Sequence, residues 1–325
     1  MRRILVLGGT GWLGREIARR ARDSGAEVVC LARGESGSAP DGARLVRADR
    51  SRAGAYDGLG GEWDEVVELA SEPQLVESAL DALATHAAHW TLVSTVSVYA
   101  DNSTPGADET AQLVEPQNLA EYPDAKVVAE RASAAKLGDR LLIARPGLIA
   151  GAGDPSDRLG YWPARLHRGG SVLAPTMSQR FVQFIDVEDL ADWIVRAGEA
   201  GLTGEFNAVG EAHTMDDFFR AARWVAGFDG ELIAVDDDEL LDLDVHYWAG
   251  PRSLPLWLPL EAAGFAQRDG SAFAAAGGRS RPLADTLTRV LTDEISRGID
   301  RPRRSGLTSR EEQVVLAAVR RLSEE

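Results

Sequence analysis

Short apolar runs and stretches with helical spacing alternate through the first half of the chain. Ile4 to Leu7 is wholly apolar, the pattern of a strand covered on both faces, and Leu13, Ile17 and Ala21 then mark one face of a helix beginning at Trp12. Further strands are expected at Glu27 to Ala32, Ala43 to Arg47, Glu65 to Ala70, Trp90 to Ser94 and Arg140 to Ala144. Helices are expected over Gln74 to Ala88 and Tyr122 to Leu137. Strands separated by helices imply right-handed crossovers, hence an α/β fold with a doubly wound parallel sheet of the Rossmann type.

Beyond Arg145-Pro146-Gly147 the pattern changes. A glycine- and proline-rich stretch, Gly151 to Pro155, precedes Arg158, Tyr161, Trp162 and Arg165, a texture common in loops that line ligand cavities. Phe181 to Ile185 and Gly204 to Val209 read as strands that rejoin or edge the sheet, with a helix from Val187 to Ala197 between them. Residues 211–325 read as helical segments, notably Met215 to Val225, Leu283 to Ile295 and Ser309 to Leu322. The expected division is a nucleotide-binding domain of residues 1–150 with about 181–210, and a smaller, mainly helical substrate lobe of 151–180 and 211–325.

Composition narrows the classes. At 325 residues and 44% hydrophobic content the chain can bury a full core. A net charge of −16 argues against a nucleic-acid partner, which requires a basic face. The apolar run before Gly8 is too short for a signal peptide or a membrane span, so a cytoplasmic location away from membranes is expected. Cys30, the single cysteine, lies in an apolar strand and reads as a core thiol. His86 and His89 lack neighbouring ligands and read as helix-end or surface residues, so no metal site is expected. Asp236 to Glu239 reads as a cap before a helix starting near Leu240, and Trp224, Trp248 and Trp257 read as core. Gln183 and His246 are weak site candidates.

Chemistry enters with the glycines. In Gly8-Gly9-Thr10-Gly11-Trp12-Leu13-Gly14, Gly8 permits a tight turn after the first strand, Gly11 lets the backbone approach a pyrophosphate, and Gly14 lets the helix pack closely. This points to a dinucleotide. The second strand ends on Arg33, which can pair with a 2′-phosphate, instead of the acid that holds a ribose 2′-hydroxyl, so NADP(H) is favoured. Glu35 leaves NAD(H) as the alternative, and Asp49 is placed to meet the adenine.

Tyr122 and Lys126 lie four apart on a helix, so the ammonium can approach the phenol and favour its ionised form. Ser94, Thr95 and Ser97 end the fifth strand, with Thr95 and Ser97 on one side by strand alternation and Ser94 on the other. Together the glycine turn, Ser94-Thr95-x-x-Val98-Tyr99, Tyr122-x-x-x-Lys126, Arg145-Pro146-Gly147 and Phe184 to Ala191 resemble the extended short-chain dehydrogenase/reductase family, also called the NAD-dependent epimerase/dehydratase family. The resemblance implies that Thr95 bonds the substrate oxygen, Tyr122 exchanges its proton, and Lys126 lowers the tyrosine pKa and holds the nicotinamide ribose. It further implies cofactor contacts from Leu69, Ala70, Ser71, Pro146 and Gly147, and a homodimer through residues 74–88 and 122–137.

The chain departs from the family's dehydratases, which carry acids directly after the threonine, where Val96 and Ser97 stand here. The leading expectation is therefore an NADPH-preferring reductase of a carbonyl on a small metabolite or sugar derivative. Ser97, Arg158, Tyr161, Trp162, Arg165 and Arg281 are its substrate candidates. The alternatives are a sugar-nucleotide epimerase with tightly held NAD, and a catalytically silent nucleotide- or RNA-binding member.

Overall fold

The computed structural model describes residues 1–322. In chain order the elements are β1 (Arg3–Leu7), α1 (Trp12–Asp23), β2 (Glu27–Ala32), β3 (Arg44–Arg47), β4 (Trp63–Glu68), α2 (Pro73–Leu83), β5 (Ala87–Val93), α3 (Tyr122–Leu137) and β6 (Leu141–Ala144). They continue with β7 (Leu148–Ala150), α4 (Arg158–His167), β8 (Val172–Pro175), β9 (Phe181–Asp186), α5 (Val187–Glu199), β10 (Gly204–Phe206), β11 (Ala212–Thr214) and α6 (Met215–Ala226). The remainder is β12 (Leu232–Val235), α7 (Asp237–Asp242), β13 (His246–Trp248), β14 (Ser253–Pro255), α8 (Ser271–Ala275), α9 (Leu283–Arg297) and α10 (Ser309–Leu322).

Seven strands form one sheet in the order β10-β6-β5-β4-β1-β2-β3, every neighbouring pair parallel. Alternation along β1 and β2 divides their side chains between two layers: Ile4, Val6, Val28 and Cys30 face α1 and α5, whereas Leu5, Leu7, Val29 and Leu31 face α2 and α3. The order reverses between β1 and β4, opening a crevice at the carboxyl ends of the strands, where α/β sheets bind ligands.

Only β10 extends this sheet among the later strands. β9 lies between β7 and β11 in a separate three-stranded sheet, so the expectation that it rejoins or edges the main sheet is corrected. It straddles two cores, with Ile185 under α5 and Val182 and Phe184 in the core of the C-terminal lobe. That second core gathers α4, α6, α9 and α10 around two buried aromatics, Trp162 and Trp257, and includes a small parallel pair, β8 with β12.

Several local readings shift for identifiable reasons. β5 begins at Ala87, because the alanines before Trp90 pair with β4, and His89 is consequently buried, its Nε2 2.8 Å from the Leu202 carbonyl oxygen. α7 begins at Asp237, so the acidic run forms its first turn, where acids favour the helix dipole. Trp257 is buried as expected, but Trp224 is 76% exposed on α6. α4 and five short strands, β7, β8 and β12 to β14, carry too little periodicity to stand out from sequence.

Candidate active site

A cleft of about 1210 Å³ runs across the carboxyl ends of β1, β2, β4 and β5. The glycine turn forms its floor. Gly8 has φ +98° and donates its N–H to the Leu31 carbonyl at 2.9 Å, while Gly11 N–H closes the turn on the Gly8 carbonyl at 3.0 Å. A Cβ at Gly14 would collide with the Gly8 carbonyl oxygen, and one at Gly9 would stand 2.5 Å from Cys30 Sγ. α1 therefore starts hard against β1 and β2, with no side-chain cap and no acid in its first turn, leaving its N-terminal amides and positive dipole end to an anion. A cradle of backbone donors with no side chain filling it fits a dinucleotide pyrophosphate.

The end of the cleft beside the tips of β2 and β3 is lined by Arg33, Glu35, Asp49 and Arg52. Arg33 is exposed and pairs with Glu35 at 3.2 Å. Asp49 accepts from Ser51 Oγ at 2.7 Å and lies 3.3 Å from Arg52, and the bonds from Ser51 hold its carboxyl below the usual range. Beneath them Arg50 forms a buried pair with Glu68, whose Oε1 also accepts the Ala70 N–H at 2.8 Å. Leu69, Ala70, Ser71, Pro146 and Gly147 line the same cleft, as do Thr10, Trp12 and Leu13. Trp12 adds a tie that nothing in the sequence announces: its Nε1 donates to the Ala152 carbonyl at 2.8 Å and anchors the Gly151 to Asp157 loop to the start of α1.

Thr95, Tyr122 and Lys126 meet near the other end. Thr95 caps a single 3₁₀ turn, Val96–Val98, with its Oγ1 accepting the Ser97 N–H at 3.1 Å and donating to Ser97 Oγ at 3.2 Å. The turn, not strand alternation, places Ser97 beside Thr95. Ser94 also borders the cleft, but its hydroxyl is buried and has no partner among the described residues. Lys126 is buried and donates to the carbonyls of Ala70 and Val93, both at 2.8 Å. Burial pushes its pKa down to about 8, against the pull of Glu68, Glu130 and Glu72 toward the charged form.

Tyr122 opens α3, with its residue surface 46% exposed and its ring centroid 6.0 Å from Lys126 Nζ. Desolvation raises the phenol pKa, while a hydrogen bond with Thr95 and the charge of Arg158 lower it. In this arrangement the cation acting on the phenol is Arg158 rather than Lys126, whose ammonium is turned onto backbone carbonyls. Arg158 begins α4, donates Nε–H to Ser156 Oγ at 3.1 Å, and stacks on Trp248 with Cζ 5.2 Å from the ring centroid. Trp248, expected in the core, instead lines the cleft with Phe265, because its backbone is held at φ +69° and its N–H bonds to the Trp257 carbonyl at 2.9 Å.

Four substrate candidates do not join the cleft lining. Tyr161 and Trp162 pack into the C-terminal core, where Trp162 donates to the Pro255 carbonyl at 2.6 Å. Arg165 is buried against Glu312, and Arg281 is held by Asp189 at 2.5 Å. An α-helix turns successive residues by about 100°, so one end of α4 presents Arg158 to the cleft while its following turns face the lobe interior. Gln183 is also committed elsewhere, donating to the carbonyls of Gly210 and Arg268 at 3.0 and 2.9 Å, and His246 pairs with Asp244 at 3.2 Å on the exposed side.

A clamp behind the site fixes its backbone. Arg145 binds Glu130 through two hydrogen bonds of 3.1 and 2.7 Å and donates to Tyr99 Oη at 3.1 Å, which in turn donates to Asn207 Oδ1 at 2.6 Å. All four residues are buried, and they join α3 to the ends of β5, β6 and β10. No group of acids, histidines or cysteines suited to a metal ion occurs among the described residues. No described helix is long and apolar enough to cross a membrane.

Comparison with solved structures returns this architecture over nearly the whole chain. A UDP-N-acetylglucosamine 4-epimerase from Bacillus cereus is 18% identical with a TM-score of 0.69, covering 93% of this chain and 99% of its own. An NAD-dependent NDP-hexosamine 5,6-dehydratase of tunicamycin biosynthesis is 18% identical with a TM-score of 0.70, covering 93% and 100%. The UDP-glucose 4-epimerase of Thermus thermophilus, solved with NAD, is 19% identical with a TM-score of 0.65, covering 90% and 98%. At these identities the likeness establishes the fold. No curated protein matches the sequence. The family model for the NAD dependent epimerase/dehydratase family matches residues 4–210, glycine turn, Thr95, Tyr122 and Lys126 included, and the chain belongs to that family.

Proposed function

We propose that this protein transfers hydride between a bound nicotinamide dinucleotide and a carbinol or carbonyl carbon of a sugar-type substrate, with epimerisation the favoured outcome. The observation that carries the reading is the convergence of Thr95, Tyr122 and Lys126 in the cleft that the glycine turn floors. When bound, the nicotinamide supplies the hydride acceptor or donor. Gly8, Gly11 and the α1 amides would hold the pyrophosphate, and Lys126 the nicotinamide ribose. Thr95 Oγ1 orients the substrate oxygen, and Tyr122 Oη takes up or returns its proton. Epimerisation accords with the named activities of two structures that align with the chain along almost their full lengths. Those names give no support to NADP preference, and NAD accompanies one of the structures.

Arg33 favours a second reading, an NADPH-dependent carbonyl reductase, since the second strand ends on a base that can face a 2′-phosphate. The two separate on one preparation. Nucleotide released by denaturing the purified protein is identified by mass spectrometry, and the native protein is titrated with NADH and NADPH by nicotinamide fluorescence. Retained NAD and isomerisation of a UDP-hexose seen by NMR support the epimerase. Exchangeable NADPH, with NADH at least tenfold weaker and affinity lost in Arg33→Ala, supports the reductase. Failure of either nucleotide to bind would sink both.

A further inference from the structure

We propose that Arg158 is the receptor for an oxyanion of the substrate, a carboxylate or phosphate lying within a few bonds of the carbon that reacts. The inference rests on the hydride-transfer reading above and adds the substrate's charge to it. Four other deeply held guanidiniums are closed by a carboxylate, Arg145 by Glu130 at 2.7 Å, Arg50 by Glu68, Arg165 by Glu312 and Arg180 by Asp237, while Arg268 is held by the Asp101 carbonyl and Asn102 Oδ1. Arg158 has no acid within ion-pair distance among the described residues, and its guanidinium is anchored there by the bond from Nε to Ser156 Oγ at 3.1 Å. Neither terminal amino group has a hydrogen-bond partner among the described residues, and Arg158 lines the cleft.

Neither nearby acid in the loop fills the role: Asp157 is taken by Arg301. Asp154 is buried and committed to Ser156, accepting its N–H at 2.7 Å and its hydroxyl at 2.9 Å. Asp154 thus orients Ser156, and Ser156 fixes the Arg158 Nε. Trp248 lies over the guanidinium and is braced by Phe265 in an edge contact of 5.4 Å, so the fork is held by its face and free along its edge. A planar fork with a free edge suits two parallel N–H···O bonds to a carboxylate or phosphate. Backbone strain at Trp248, φ +69° in a large residue, is of the kind that the surrounding structure maintains at ligand clamps.

Position gives the second half of the inference. Arg158 and Tyr122 line the same cleft, and each acts on the other's ionisation. An anion seated on Arg158 is therefore adjacent to the oxygen that exchanges its proton with Tyr122. In a nucleoside diphosphate sugar that reacts at C4 the diphosphate sits across the ring from the reacting carbon, whereas the carboxylate of a uronic acid or the phosphate of a sugar 6-phosphate sits on the same side of the ring, next to it.

The test is calorimetric titration of the nucleotide-loaded protein with glucuronate, glucose 6-phosphate and neutral glucose, on wild type, Arg158→Gln and Trp248→Phe. Binding of either anion at least tenfold tighter than glucose, reduced at least tenfold in Arg158→Gln and retained in part in Trp248→Phe, supports the proposal. Preference between the two anions assigns carboxylate or phosphate. Equal affinity for glucose, an unchanged Arg158→Gln, or no heat from either anion overturns it. Nucleotide affinity, followed separately by nicotinamide fluorescence, distinguishes the failures. An Arg158→Gln protein that loses nucleotide and not anion binding would assign the guanidinium to the cofactor, whereas wild type that binds no nucleotide would remove the hydride-transfer reading itself.

Discussion

At the scale of single residues, the chemistry depends on how Lys126 and Tyr122 are charged. Lys126 is buried with its ammonium on two carbonyls, and the nearby Glu68 carboxylate favours its charged form. Its folded pKa, about 8, lies below the ordinary 10.5. The folded state therefore binds fewer protons between these values, so stability associated with Lys126 rises as pH climbs from about 8 toward 10.5, and charging it is a cost below that window. Nucleotide affinity should move the opposite way, falling above pH 8 as the ammonium is lost. Glu68→Gln should lower the midpoint of that fall, a shift measured by nucleotide titration across pH; an unmoved midpoint would remove Glu68 from the role. Tyr122→Phe should reduce kcat by about 10²–10⁴-fold, the range of positioned acid–base catalysis, while nucleotide affinity stays within a few fold. Lys126→Ala should impair both. The tyrosine and lysine are legible because a helix's four-residue spacing states their common face, but the direction of the ammonium is not, because its partners lie at the ends of β4 and β5.

At the scale of elements, the start of α1 carries the nucleotide site and two contacts hold it. Gly14→Ala would force a Cβ into the Gly8 carbonyl. Overpacking of this kind costs about 1–3 kcal/mol, and it should lower the melting temperature and weaken nucleotide binding together. Trp12→Phe removes the bond to the Ala152 carbonyl at modest cost, about 1 kcal/mol, and should loosen the 151–157 loop, visible as faster amide exchange there. The glycine spacing is readable because each glycine answers a local backbone requirement. The Trp12 tie is not, since its acceptor lies 140 residues away. The same limit explains α4: its composition points to a cavity lining, but only its packing turns Arg158 toward the cleft and Tyr161, Trp162 and Arg165 away.

At the scale of the whole molecule, two buried cores meet around the cleft, and the Arg145–Glu130–Tyr99–Asn207 clamp joins the strand ends that form its wall. Glu130→Leu would leave Arg145 as an uncompensated buried charge, a loss of about 3–5 kcal/mol, and should appear as a large drop in denaturant midpoint. The double change Glu130→Leu with Arg145→Leu should recover part of it. The sequence alone determined the alternation of strands and helices and the glycine turn, because each follows from neighbours within a few residues, and its resemblance to the family pointed to Thr95, Tyr122 and Lys126. Tertiary structure alone decided that β9 leaves the main sheet, that His89 is buried, that Trp248 faces the cleft, and that Arg158 shares the cleft with Tyr122 without an acid in ion-pair contact among the described residues. Pairing, burial and charge compensation are relations between distant segments, and folding brings those segments together.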